Sequence, residues 1–344
     1  MMDLLKYKLQ LITIITVVLT FSSCKNDAQP KIVENRNNGS ALGTSYSIIY
    51  FSNKKVNYQK EIDSVFKVIN KSMSTYMPSS DISKINEGDS TLQVDHMFKE
   101  VFNLSKDINN KTNGYFDPTV GTLVNAWGFG PGEQIKLDSS KVDSLLEYVG
   151  FNKVQLTNKG TIKKASSNIL FDFNAIAKGY SIDRLAVMLE KKGITNFLIE
   201  VGGEIFAKGE NLKKQKKWVV GINDPEVEDR NNYKAAVKLK NVAMASSGNY
   251  RHFRVDPITK EKYVHTLDPK TGYTKNAKVL GATIITGNCA KADGYATSFM
   301  AMDLEDSKKI IEKDTTLQAY IIYLDNAGNV KEYITKGFKD LIVE

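Results

Sequence analysis

The chain has only two cysteines, Cys24 and Cys289, in 344 residues. So few cannot make a disulfide framework. It lacks a Walker loop, since neither the glycine spacing nor the Lys-Ser/Thr pair occurs. It lacks a clustered basic stripe as well. Despite a net charge of +8, the lysines are dispersed except at Lys213–Lys217, which reads as a solvated hairpin tip, so no nucleic-acid groove is expected. No repeat of fixed period and no clean interdomain linker is visible. Only three histidines are present, and just one, His265, sits in a site-like motif; His96 starts a helical pattern and His252 falls in a strand pattern.

Long apolar runs are missing too. Leu9–Phe21 is thirteen residues, too short for a comfortable membrane span but suited to a signal-peptide core behind Lys6 and Lys8. It ends in Phe21-Ser22-Ser23-Cys24. Small residues directly before a cysteine resemble a bacterial lipoprotein signal, although Phe21 departs from the usual aliphatic residue. The expectation is a signal peptide over 1–23, lipidation at Cys24, a polar tether over 24–40 and a folded domain over 41–344. Lipidation of Cys24 leaves one thiol and no intramolecular disulfide. Cys289 reads as a small buried residue.

What is present is ordinary globular material, 42% hydrophobic and 25% charged. Gly43–Phe51 alternates as a strand, and Glu61–Met73 and Asp95–Asn110 carry helical apolar spacing, the latter ended by Asn113-Gly114. The stretch from Tyr115 to Pro131, rich in Gly, Pro, Trp and Phe, reads as a folded loop. Ile169–Phe173 reads as a strand, and Asn196–Ala207 as two strands about a glycine turn. Further strands are expected at Lys153–Leu156, Trp218–Ile222, Ala235–Leu239, Val242–Ser246, His252–Val255 and Val279–Ile285, with a short helix at Val142–Val149. Strands and helices in uneven blocks with many hairpins predict an α+β fold: a largely antiparallel sheet with packed helices. One globular unit is expected, with two lobes and a site in the cleft left open.

Chemistry concentrates at the C-terminal side. His265–Gly272 (HTLDPKTG) reads as a strand entering a Pro/Gly turn, and Ala292–Thr297 (ADGYAT) starts a helix. Asp293 and Thr297, four apart, project a carboxylate and a hydroxyl from one helical face. Two hard oxygen donors suit Mg²⁺, although such a pair is more often a solvated hydrogen-bonded couple. At the junction Asp172–Tyr180, small residues would let an anion approach a helix N-terminus, and Lys178 adds a cation expected to be exposed. Asp268 reads as a turn cap.

The ordered blocks LGTSYSIIY, STYMPSSDISKIN, GYFDPTVGTLVNAWGFGP, FDFNAIAKGYSIDRLA, FLIEVGGEIFAKG, ASSGNYRHF, HTLDPKTG and CAKADGYATSFMAM resemble the ApbE family of flavin transferases, from about Leu42 to Met302. The resemblance implies Mg²⁺-dependent transfer of FMN from FAD to a threonine hydroxyl of a target protein, with release of AMP. It places metal ligands on Asp293, Thr297 and the carbonyl of Ala175. It places flavin contacts on Leu42, Tyr76, Asp117, Pro118, Thr119, Asp172, Lys178 and Leu267. Leu42 stands where many members have methionine, a volume-conserving exchange. His265 is the candidate proton acceptor and, with Asp293, the expected catalytic pair. The acceptor implied is a threonine-bearing flavoprotein of a membrane redox complex, met by a membrane-anchored bacterial lipoprotein facing the periplasm or cell exterior. Two alternatives remain open: a Mg²⁺-dependent FAD pyrophosphatase giving FMN and AMP, and a non-catalytic FAD-binding lipoprotein.

Overall fold

A computed structural model describes residues 32–223, 233–248, 253–255, 262–264, 266–275 and 278–343. The signal peptide, Cys24, most of the tether, His252 and His265 lie outside the described residues.

In chain order the elements are β1 (Val33–Ala41), β2 (Thr44–Ser52), α1 (Gln59–Met73), α2 (Asp81–Asn86), α3 (His96–Lys111), α4 (Gly121–Ala126), α5 (Ser139–Leu146), β3 (Val154–Leu156), β4 (Ile162–Lys164) and α6 (Asn174–Lys191). They continue as β5 (Phe197–Val201), β6 (Glu204–Lys208), β7 (Trp218–Asn223), β8 (Tyr233–Leu239), β9 (Val242–Gly248), β10 (Phe253–Val255), β11 (Lys262–Val264) and β12 (Val279–Thr286). Last come α7 (Cys289–Ala301), α8 (Leu304–Lys313), β13 (Gln318–Leu324), β14 (Val330–Ile334) and α9 (Lys336–Lys339). Eight strands form one sheet in the order β1-β2-β5-β6-β9-β12-β13-β14. Every neighbouring pair in it is antiparallel. This is the α+β architecture expected from the hairpin-rich sequence.

Period-2 alternation sorts the two sheet faces. Phe206, Ala243, Ala245, Ile284 and Ile321 turn toward the helices, while Ile205, Met244, Ile285, Tyr320 and Ile322 turn the other way, against the β7–β8 hairpin and α9. On the helical face, Ile62, Phe66, Ile69 and Met73 of α1 are buried, as their spacing requires. α7 differs from the other helices. It is buried almost all round, and its Ala and Gly residues let sheet and helices approach closely.

Two expectations fail. The Tyr115–Pro131 stretch contains the helix α4, whose Leu123 and Ala126 are buried. Six residues are too few to display helical periodicity among glycines. Ile169–Phe173 is not a strand. Leu170 makes one isolated bridge to Val120, and the Asn86 side chain substitutes for a neighbouring strand, donating to the Phe171 carbonyl at 2.9 Å and accepting from its N–H at 2.7 Å. The segment is apolar because it is core: Ile169, Phe171 and Phe173 are all buried.

Candidate active site

The site is organised by the seam between α6 and α7. The carboxylate of Asp183 accepts from the N–H groups of Cys289 and Ala290, at 2.7 and 2.9 Å, and so caps the start of α7. One turn back along α6, a Cβ on Gly179 would sit 2.4 Å from the carbonyl oxygen of Cys289, so only glycine permits this approach. The same Gly179 donates its N–H to Asp293 Oδ2 at 3.0 Å. The contacts therefore step in opposite directions, 183 to 289 and 179 to 293. Continuing that antiparallel stepping by one turn on each helix, a rise of about 6 Å, leads from Gly179 toward Ala175 on α6 and from Asp293 toward Thr297 on α7.

This arrangement bears on the carbonyl of Ala175. In an α-helix the N–H of Gly179 belongs to the carbonyl four residues earlier, that of Ala175. A carboxylate that engages this N–H leaves acceptor capacity on that carbonyl. Asp293 is buried, and Thr297 meets the Ser247 hydroxyl of β9 at 3.4 Å. Carboxylate, hydroxyl and carbonyl make an all-oxygen donor set, which fits Mg²⁺. Among the described residues no group of three His, Cys, Asp or Glu side chains could hold a softer metal.

Lys178 is not the exposed helix-start charge that its sequence position suggests. Its Nζ lies 2.8 Å from Glu204 Oε1 and 3.9 Å from Asp293 Oδ1, between two carboxylates that are nearly fully buried. Burial pulls the ammonium down, but Asp293 and Glu204 outweigh it and hold Lys178 above the ordinary lysine value. Burial also pushes the Asp293 carboxyl up, partly offset by Lys178. The sequence marks Gly202-Gly203 only as the turn between two strands; the charge of Glu204 at the start of an otherwise apolar strand is the signal that singles it out.

Around the start of α6, Asp172 accepts from the N–H and the side-chain amide of Asn174, at 2.7 and 3.1 Å. Burial raises the Asp172 carboxyl. Tyr76 stands nearby, 61% exposed, with its hydroxyl 3.4 Å from the Phe129 carbonyl; burial and then the Asp172 charge push that hydroxyl's pKa up. An exposed aromatic ring beside a half-buried Phe129 can stack on a planar ligand.

Other expected contacts are occupied by the protein itself. Asp117 accepts from the N–H and hydroxyl of Thr119, the N–H of Phe151 and the Asn109 amide, at 2.9, 2.6, 2.9 and 3.4 Å. Thr119 accepts from the N–H of Gly150, and the Pro118 carbonyl from the N–H of Asp172. Leu267 packs with Leu123 and Val149, and the Trp127 indole donates to the Gly272 carbonyl at 2.9 Å, so the HTLDPKTG turn is bound to α4. Asp268 caps its turn by accepting from the N–H of Lys270. Leu42 takes a left-handed φ of 51° in the β1–β2 turn, a strain of about 1–2 kcal/mol for a leucine, and packs against two core clusters. Clefts of about 360 and 580 Å³ lie elsewhere, one beside Asp183 and Arg184, one beside Ile32 and Tyr58; neither is lined by Lys178, Asp293 or Tyr76.

Residues 42–321 match the model of the ApbE family. The protein named FAD:protein FMN transferase from Haemophilus influenzae is 30% identical over 342 residues, covering 95% of this chain and 96% of that protein. The one from Vibrio cholerae is 31% identical over 313 residues, 88% and 91% of the two chains. The solved structure of the flavin transferase ApbE from Vibrio cholerae superposes with a TM-score of 0.80 at 29% identity, covering 90% of this chain and all of that one.

Proposed function

The chain belongs to the ApbE family, and on that premise we propose that it is an FAD:protein FMN transferase that uses Mg²⁺ and a threonine acceptor and releases AMP. The observation that supports the metal part is the bond from Gly179 N–H to Asp293, which fixes a buried carboxylate one helical turn before Thr297 and against the α6 turn that starts at Ala175.

In the reaction, a threonine oxygen bonds to the flavin-side phosphorus of FAD. The bond from that phosphorus to the bridging oxygen breaks, and AMP leaves with the electron pair. The threonine proton passes to a base, for which His265 is the candidate from its motif. Mg²⁺, when bound, supplies charge neutralisation for the pyrophosphate and a better leaving group. Asp293, Thr297 and the Ala175 carbonyl would hold it. Lys178, kept charged by its two carboxylates, supplies a fixed positive group for phosphate oxygens. Tyr76 offers its face to a ring of FAD. Leu42 and Leu267 give apolar wall, while Asp117, Pro118 and Thr119 brace the loop under that wall.

The same centre could serve hydrolysis of FAD, with water in place of threonine. Intact Asp293 and Thr297 disfavour simple FAD storage, which needs no activated phosphate. Incubation with FAD and Mg²⁺, with and without a threonine-bearing acceptor, decides among the three. Flavinylated acceptor plus AMP supports transfer. FMN plus AMP without flavinylation means pyrophosphatase, and no turnover means a binding protein.

The N-terminal sequence fits a membrane-anchored bacterial lipoprotein facing the periplasm or cell exterior. Among the described residues no helix is long and apolar enough to cross a membrane. A membrane anchor would bring the site to an acceptor flavoprotein of a membrane redox complex.

A further inference from the structure

We propose that Glu204 is a positioning residue that holds the Lys178 ammonium off Asp293 and so keeps Asp293 Oδ1 open to a divalent cation. This rests on Asp293 being a metal ligand.

Glu204 is placed by its turn. Gly202 and Gly203 both have positive φ, 64° and 107°, in a two-residue hairpin that pairs Val201 with Glu204. The first side chain of β6 is thereby fixed beneath α6, and it is 5% exposed. Its Oε1 takes the lysine at hydrogen-bonding distance, 2.8 Å, whereas Asp293 Oδ1 stands at 3.9 Å, outside it. Asp293 Oδ2 is occupied by Gly179, and no hydrogen-bond donor reaches Oδ1 among the described residues. The open oxygen is therefore the one that faces the ammonium.

Stability alone does not account for this arrangement. A direct Lys178–Asp293 pair would neutralise both groups without a second buried acid. Instead two carboxylates share one ammonium, and Glu204 Oε2 is buried with no hydrogen-bond partner among the described residues. What the extra acid does achieve is geometric. Without it, the flexible lysine stem needs to close only about 1 Å to reach the usual charged N–H···O distance to Asp293. That would cover the oxygen a cation needs. With Glu204 in place, the ammonium is parked and the cluster keeps a net negative charge that attracts a cation.

The test is Mn²⁺ uptake by the full-length chain in detergent without FAD, read from the EPR signal of free Mn²⁺. Glu204→Gln, nearly isosteric, should bind Mn²⁺ about 10–100-fold more weakly than wild type, the usual scale for loss of a supporting partner. The double variant Glu204→Gln/Lys178→Met should regain most of that affinity, because the competing ammonium is gone. Lys178→Met alone should bind at least as tightly as wild type, and it carries the test if Glu204→Gln does not fold. Unchanged affinity in Glu204→Gln overturns the proposal. So does a double variant as weak as the single one, which would make Glu204 a direct ligand or a structural prop, and so does weaker binding by Lys178→Met. If wild type takes up no Mn²⁺, or Asp293→Asn takes it up equally well, the metal assignment itself falls and the proposal with it. Failure of the Glu204 arm in a Mn²⁺-binding wild type leaves that assignment standing.

Discussion

The N–H of Gly179 donates to Asp293 Oδ2 at 3.0 Å, across a seam where any larger residue at 179 would strike the backbone at Cys289. An asparagine at 293 keeps an oxygen for that bond but loses the charge. Asp293→Asn should therefore fold normally and lose FMN transfer by at least about a hundredfold, the scale of removing one preorganised charge contact. FAD should still bind through its ring contacts. Transfer at the wild-type rate in ordinary Mg²⁺ would remove Asp293 from the metal site.

Gly179→Ala tests the seam itself. The added methyl must push α6 and α7 apart, and overpacking of this kind costs about 1–3 kcal/mol. Thermal melting should fall accordingly, and transfer should fall further than stability alone explains, because Asp293 and Ala175 move together with their helices. A variant that melts lower but transfers normally would mean that the seam supports the fold without setting the site.

Asp183 gives a pH signature away from the chemistry. Burial raises its carboxyl to about 6 from the ordinary 3.8, against the opposing pull of the Ala290 and Cys289 N–H groups and of Arg184. The folded state thus binds this proton more tightly than the unfolded chain does. Its contribution to stability is fully present below about pH 3.8 and is lost as pH rises through about 6, amounting to about 3 kcal/mol. Urea unfolding at several pH values should show wild type losing stability over that window. Asp183→Asn should be less stable near pH 4 and flatter across the window. Parallel curves for the two proteins would contradict the assignment.

Much of this was legible in the sequence, and the exceptions have physical reasons. Alternation in Gly43–Phe51 and helical spacing in Glu61–Met73 report burial on one face, which is what periodicity measures, and both elements form where expected. α4 and the Ile169–Phe173 segment escape the sequence pattern because burial there comes from tertiary packing and from the Asn86 side chain, which no local pattern encodes. Asp293 and Thr297 could be paired by their spacing on one helix. Glu204 could not be paired with Lys178, because twenty-six residues and a hairpin separate them and only the fold brings them to 2.8 Å.

Cys24→Ser should release the protein from the membrane fraction without changing the activity of the folded part. The elements that build the site all lie beyond residue 40. Retention of the serine variant in membranes would point to an uncleaved N-terminal segment as the anchor in place of a lipid.

Tyr76 and Asp117, both expected to touch flavin, should part company when replaced. Tyr76 is exposed, and its hydroxyl's one polar contact among the described residues, at 3.4 Å, is weak, so Tyr76→Ala should change stability by no more than about 0.5 kcal/mol, as exposed positions do. If its ring stacks on FAD, affinity should fall by about 1–3 kcal/mol, the usual worth of a base stacked on an aromatic side chain, and Tyr76→Phe should keep most of it. Asp117 is the reverse case. Its carboxylate takes the N–H groups of Thr119 and Phe151 and the Thr119 hydroxyl in a buried setting. Asp117→Ala strands those donors at about 1–3 kcal/mol for each one left unpaired, so it should unfold at markedly lower denaturant. Equilibrium unfolding and FAD titration on the same two variants give the check. A stable Asp117→Ala with weakened FAD binding would make Asp117 a true ligand contact, and a Tyr76→Ala protein with normal FAD affinity would leave that ring without a ligand to stack on.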